Sequence, residues 1–226
     1  MQPLYSGFMK INRDMVTRAG LKLLNEEGLE QLTLRRLGVE LNVQAATIYW
    51  HFKSKEELID EMATTVLAEG SVNLIPARKS SGWRIWASTY GEGLRKTLLA
   101  YRDGARMVAG TRFTNTVYLK TTERIGNQML ASGFSVRAAV VLFGTIYNYT
   151  VSFVMEEQAV FPTPGNRSPQ YDLEQRNSRL DPTKFPILRQ SGAILFDRFD
   201  RRYKEGLDLI LRGAEMQLLD SSSGKL

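Results

Sequence analysis

Residues 33–55 read TLRRLGVELNVQAATIYWHFKSK. Thr33 is placed to cap a helix by accepting a hydrogen bond from an orphan backbone N–H. Leu34, Leu37 and Leu41 follow at spacings of three and four, which puts them on one helix face. Asn42 interrupts that pattern, and asparagine tolerates the left-handed backbone that a tight helix-to-helix turn requires. Residues 45–52 form a second helix, too short to hold unless packed on neighbours. Two short helices joined this way have the shape of a helix-turn-helix, whose second helix enters the DNA major groove. The same apolar stripes occur in helical bundles that bind no DNA, so the pattern alone leaves both readings open.

The second helix and the residues just after it separate them. Thr47, Tyr49, Trp50, His51, Lys53 and Lys55 fall within nine residues, so some aromatic rings must lie at the surface. Exposed rings beside lysines cost a mere scaffold solvation, but they suit a helix laid against sugar, phosphate and thymine methyls. Ser54-Lys55-Glu56-Glu57 then reads as a capping box that starts the next helix.

Working outward, residues 1–10 carry no periodic signal and read as a flexible arm. Asn12 is placed to cap a first helix with Met15, Val16, Ala19, Leu23 and Leu24 on its buried face and Gly28 at its end. Residues 11–62 therefore form a three-helix DNA-binding unit. A helix over 54–68 links it to the remainder, and the polar stretch 70–82 is a connection. Helical patterns return over 83–101, 106–109, 116–131, 135–158 and 187–219. No sustained strand alternation and no internal repeat appears, so the chain is expected to be all-α, with residues 63–226 a larger helical domain. Residues 162–186 hold five prolines and one glycine. The stretch 162–184 reads either as a flexible surface loop or as a lid that orders over a ligand.

Composition narrows the function classes. An apolar content of 43% over 226 residues supports a real core. The absence of cysteine removes disulfide and thiol chemistry and fits a reducing cytoplasm. No charged-then-apolar leader opens the chain, so no secretion signal is expected. The apolar run 138–155 includes Gly144, Thr145, Asn148, Thr150 and Ser152, which favours a buried helix over a membrane span. The net charge of +6 does not itself point to DNA. Residues 1–62 hold eight Lys/Arg against nine Asp/Glu, and the basic excess lies in the rest of the chain. Only placement argues for phosphate contacts, since through Lys55 eight basic residues face five acidic ones.

Residues 11–63 resemble the N-terminal domain of the TetR family of bacterial repressors, with ATIYWHFKSKEELID (46–60) similar to its recognition helix and the helix after it. YRDGARMVAGTRF (101–113), GFSVRAAVVLF (133–143), VMEEQ (154–158), FPILRQSG (185–192) and LDLILRGAEMQL (207–218) resemble ligand and dimer regions of the tetracycline repressor branch. The resemblance implies a homodimer, in which helices like 135–158 and 187–219 from two subunits form a four-helix bundle. Val141, Ile146 and Phe153 are candidates for that interface, with packing inside one subunit as the alternative. Two-fold symmetry implies a palindromic operator with half-sites about 34–36 Å apart.

Two stripes match the branch's ligand-lining positions: Trp86, Tyr90 and Leu94, and then Val140, Phe143 and Tyr147. Each stripe is also what plain core looks like. Thr111, Arg112 and Glu156 are the polar candidates, and Val108 and Phe113 complete the expected effector set. Departures from the branch matter as much. A histidine that helps hold a magnesium–drug chelate is replaced by Val108, another falls near Ser71, and the drug-binding asparagine falls near Tyr90. Valine offers no lone pair to a metal or its water shell. No cofactor or metal is expected, and a bulky, planar, largely apolar effector replaces magnesium–tetracycline: an antibiotic, a biosynthetic intermediate or another xenobiotic. On the DNA side, the family's base-reading Gln-Pro-Thr is Ala45-Ala46-Thr47 here, and Gln44 is placed to reach adenine. Tyr49, Trp50, His51 and Lys55 match backbone-contact positions, and Arg35 matches a base-contacting one.

These readings combine into a repressor of double-stranded operator DNA, released when a small-molecule effector reshapes residues 110–113. An enzyme is disfavoured, because the single histidine is already assigned to DNA and no phosphate-binding glycine loop or metal-ligand pair is present. The remaining alternative is a DNA-binding regulator with no small-molecule effector.

Overall fold

The computed structural model describes residues 11–78 and 82–223, with side chains to residue 219; the expected arm at residues 1–10 lies outside the described residues. Among the described residues there are eleven α-helices and no strand. They are α1 (Arg13–Glu27), α2 (Leu34–Glu40), α3 (Ala45–His51), α4 (Lys55–Gly70), α5 (Trp83–Leu99), α6 (Gly104–Val108), α7 (Val117–Ala131), α8 (Val136–Val160), α9 (Leu173–Ser178), α10 (Pro186–Phe196) and α11 (Phe199–Ser223).

Local chemistry sets the first four. Asn12 Oδ1 accepts from the Met15 N–H at 2.8 Å, and Gly28 ends α1 at φ +88° with its N–H on the Leu24 carbonyl. Thr33 Oγ1 accepts from the Arg36 N–H at 3.2 Å. Asn42 adopts φ +52°, and Val43 N donates back to the Gly38 carbonyl at 2.8 Å, which closes the turn between α2 and α3. Ser54 Oγ caps α4 by accepting from Glu57 N at 3.2 Å. The Glu57 carboxylate does not return the bond to Ser54, as a capping box would; it accepts from Lys53 N–H, one residue earlier, at 2.7 Å.

The core of α1–α3 is fully buried Val16, Leu24, Leu37, Ile48 and Phe52, closed from below by Leu58 and Met62 of α4. Each such side chain contributes about 1.5–3 kcal/mol of burial, which is what holds a helix as short as α3. Beyond it, α8 is the central helix and packs on α5, α6, α7 and α11. By length and composition alone α8 could cross a membrane, yet its Leu142, Ile146 and Val154 are buried in this helical domain. Helix α4 touches α1 on one side and α5, α6 and α7 on the other, so it spans both parts of the molecule.

Three expectations are corrected. The helix expected over 187–219 is two helices, α10 and α11, broken at Asp197 and Arg198. Arg167 stabilises the break by donating to the freed Phe196 carbonyl at 2.9 Å and pairing with the Asp197 carboxylate. The stretch 162–184 is not all loop: it holds a short 3-10 turn at Pro169–Tyr171 and α9, which Asp172 caps. Arg189 ties that segment down through the Asn177 and Leu180 carbonyls. Finally, Ile146 and Phe153 are buried inside the chain itself, Phe153 edge-on to Phe199 and Tyr203. Of the three interface candidates only Val141 is exposed, at 55%.

Candidate DNA-contact face and effector cavity

Helix α3 is held by its inner face and presents the other. Ile48 and Phe52 are fully buried, whereas Tyr49 is 50% and Trp50 81% exposed, with Gln44, Ala46 and Lys53 open beside them. The Lys53 ammonium lies 5.8 Å from the Trp50 ring centre and donates to the Tyr49 carbonyl at 3.3 Å. Ala45, Thr47 and His51 are half-buried, and Arg35 is exposed on α2. Lys55 is half-buried and donates to the Leu29 carbonyl at 2.9 Å, so its ammonium also braces the α1–α2 loop.

One positioning residue has no sequence signature of its own. Arg13, at the start of α1, donates to the His51 carbonyl at 2.6 Å, to Glu57 Oε1 at 2.9 Å and to Glu61 Oε2 at 3.0 Å, and it stacks 4.1 Å over Phe52. It thus satisfies a carbonyl at the C-terminal end of α3 and locks α3 between α1 and α4. The Glu57 carboxyl is held below the usual carboxylate range, first by the Lys53 N–H and then by Arg13.

Between α7 and α8 lies a cavity of about 520 Å³. Helix α7 lines it with Thr122, Glu123, Ile125, Gly126, Asn127 and Leu130; α8 with Val136, Ala139, Val140, Phe143, Gly144 and Tyr147; and α5 with Tyr90. The Phe143 and Tyr90 rings meet edge-on at 5.0 Å. The Tyr90 and Tyr118 hydroxyls lie 3.3 Å apart, and burial pushes both phenols, and that of Tyr147, above their ordinary range. All three remain neutral hydrogen-bonding groups at physiological pH.

The structure gathers Tyr90, Val140, Phe143 and Tyr147 at the cavity. Trp86, Leu94 and Val108 are buried in the core behind it, and Trp86 Nε1 has no hydrogen-bond partner. Thr111, Arg112 and Phe113 sit on the segment after α6, where the Phe113 ring lies 5.0 Å from that of Tyr118. Glu156 is not brought to the cavity. Nine residues on from Tyr147, it falls on the opposite face of α8, roughly 13 Å along the axis, where it pairs with Arg202 at 3.3 Å. The α7 wall went unread in the sequence. Its available signal was Gly126, matched by Gly144 on α8: a glycine inside a helix costs helix stability, which points to space being needed there. A Cβ added at either would meet nothing within 4 Å.

The donor set does not fit a magnesium chelate of the kind the resemblance implies. Val108, where the resemblance implies a histidine, is buried and apolar and offers no lone pair to a metal or its water shell.

The cavity communicates with α4. Tyr147 Oη donates to the Val108 carbonyl at 3.4 Å, the last residue of α6. Gly110 follows at φ +74°; Arg112 N then donates to Asp60 at 2.9 Å and Thr114 N to Thr64 Oγ1 at 3.0 Å, both on α4.

Two family descriptions match the chain: "Bacterial regulatory proteins, tetR family" over residues 16–62 and "Tetracyclin repressor-like, C-terminal domain" over residues 75–218. The class A tetracycline repressor from transposon 1721 of Escherichia coli is 35% identical over 206 residues, covering 90% of each chain. A possible TetR family transcriptional regulator from Streptomyces coelicolor A3(2) superposes with a TM-score of 0.80 at 31% identity, over 91% of this chain and 99% of that one. ActR from Streptomyces coelicolor, in complex with actinorhodin, gives a TM-score of 0.76 at 25% identity over 92% and 98% of the chains.

Proposed function

This chain belongs to the TetR family of bacterial regulatory proteins, and on that footing we propose that it represses transcription by binding a palindromic operator as a homodimer, until a bulky aromatic small molecule releases it. The family consists of transcriptional regulators, not enzymes, which work on DNA in the cytoplasm. The observation that carries the proposal is the continuous link from the cavity wall at Tyr147, through the end of α6, to Asp60 and Thr64 on the helix that leads into the DNA unit.

An effector between α7 and α8 presses on Phe143 and Tyr147, shifts the Val108 carbonyl and alters how residues 110–114 hold α4. Because α4 starts directly after α3, that shift changes the separation of two recognition helices in a dimer. The ligand moves the equilibrium only by preferring the released form. A coupling of about 1–3 kcal/mol per site corresponds to roughly 5–150-fold weaker DNA binding. For the dimer, support comes from the uncovered stripe of Val141, Thr145, Asn148, Ser152 and Met155 on α8 beside exposed Leu209 and Met216 on α11. On the DNA side, Tyr49, Trp50, His51 and Lys55 act on the backbone, and Arg35, Gln44, Ala45 and Thr47 face the bases.

The cavity is of a size for a polycyclic ligand and is mostly apolar. Actinorhodin in ActR is an example from a relative; the buried, apolar Val108, which offers no lone pair to a metal, speaks for an effector other than magnesium–tetracycline. An electrophoretic shift of the gene's own upstream DNA at fixed salt, repeated with a panel of polycyclic aromatic compounds, tests the reading. Reversal by one compound is expected; a shift that no member of a broad panel reverses counts against an effector, and no shift counts against the DNA role.

A further inference from the structure

The cavity lining carries a single formal charge. Glu123 stands on α7 between Thr122 and Gly126, and its carboxylate takes part in no hydrogen bond or ion pair among the described residues. No lysine or arginine lines the cavity. The neighbouring Arg124 points to the α5 side, where its guanidinium lies 5.7 Å from the Trp86 ring centre. The rest of the wall is uncharged: Thr122 and Asn127 are its neutral polar side chains, and Tyr90, Phe143 and Tyr147 contribute three neutral rings among otherwise aliphatic residues and glycine.

Aromatic faces carry partial negative charge, so they attract cations and repel anions, and a free carboxylate acts in the same sense. A ligand that fills the cavity expels water and lowers the local dielectric, which strengthens both attractions. We propose that the effector is a planar aromatic cation, with its ring system against Phe143 and Tyr147 and its protonated or quaternary nitrogen facing Glu123. This rests on the cavity being the effector site, and the test separates the two statements.

Three acridines of matched shape serve as probes, titrated without DNA and followed by calorimetry: aminoacridine as the cation, acridone as the neutral ring and acridine carboxylate as the anion. Aminoacridine should bind about tenfold tighter than acridone, with the carboxylate weakest. Raising the salt concentration should shrink the preference. Glu123→Gln, on an exposed position with no partner to lose, should cut the ratio between cation and neutral probe to about threefold or less. An unchanged ratio in Glu123→Gln, or a carboxylate that binds as tightly as the amine, overturns the charge assignment and leaves the cavity standing. Binding of aminoacridine that Phe143→Ala does not weaken places the dye elsewhere and overturns it too. If none of the three binds, the cavity reading falls and this proposal with it.

Discussion

The Tyr147 hydroxyl and the Thr111 hydroxyl both donate to the carbonyl of Val108, at 3.4 Å and 2.8 Å. A residue of the cavity wall and a residue of the segment that bonds to α4 therefore share one acceptor at the end of α6. Tyr147→Phe keeps the ring and removes only this bond. Effector-induced loss of DNA affinity should shrink by about 1 kcal/mol, near fivefold, while DNA affinity without effector stays close to that of the unaltered chain. Operator affinities with and without saturating effector check this.

Arg13 is not among the expected DNA contacts, yet it holds the His51 carbonyl and two carboxylates of α4. Because the guanidinium is partly exposed, Arg13→Ala should cost only about 1–2 kcal/mol of stability. Operator affinity should fall as well, because α3 loses its brace. Denaturant unfolding together with a DNA titration would show both effects.

Glu57 gives this brace a pH dependence. Its folded-state carboxyl titrates below the usual value, first because of the Lys53 N–H and second because of Arg13. The stabilisation is thus fully present above the ordinary glutamate pKa and is lost as pH falls through the lower, folded-state value. Glu57→Gln should destabilise the chain at neutral pH and make progressively less difference in acid. Unfolding midpoints from pH 7 down to about pH 3 follow it.

Gly126 and Gly144 have open space where a Cβ would go, and Gly93 does not: there a Cβ would sit 2.1 Å from the Asn73 carbonyl oxygen. Gly126→Ala and Gly144→Ala should each stabilise by roughly 0.5–1 kcal/mol through helix propensity while weakening a bulky effector. Gly93→Ala should destabilise. Thermal unfolding and effector titration of the three variants give the comparison.

The DNA unit was legible almost residue by residue, because caps and turns are local chemistry. Asn12, Gly28, Thr33, Asn42 and Ser54 each announce a boundary, and each stands at one. Glu57 differs only in bonding one residue further back. The larger domain was legible as helices but less so as faces. Phe153 and Ile146 look alike whether they meet a second subunit or the same chain, since a periodic stripe does not name its neighbour. The break between α10 and α11 depends on Arg167, some thirty residues away, and no local pattern carries it. For the cavity, aromatic stripes on α5 and α8 brought in Tyr90, Val140, Phe143 and Tyr147. The α7 wall has small and polar residues whose role is the space they leave, and Glu156 failed on helical phase.

The most direct measurement is operator affinity at fixed salt, with and without effector, for the unaltered chain, Tyr49→Ala and Phe143→Ala, together with effector affinity for each. The unaltered chain should lose roughly 5–150-fold in DNA affinity when the effector binds. Tyr49→Ala should bind DNA weakly and effector normally, and Phe143→Ala should bind DNA normally and resist release. Loss of both activities in both variants, or a DNA affinity that no bound effector changes, would contradict a cavity that controls the recognition helices.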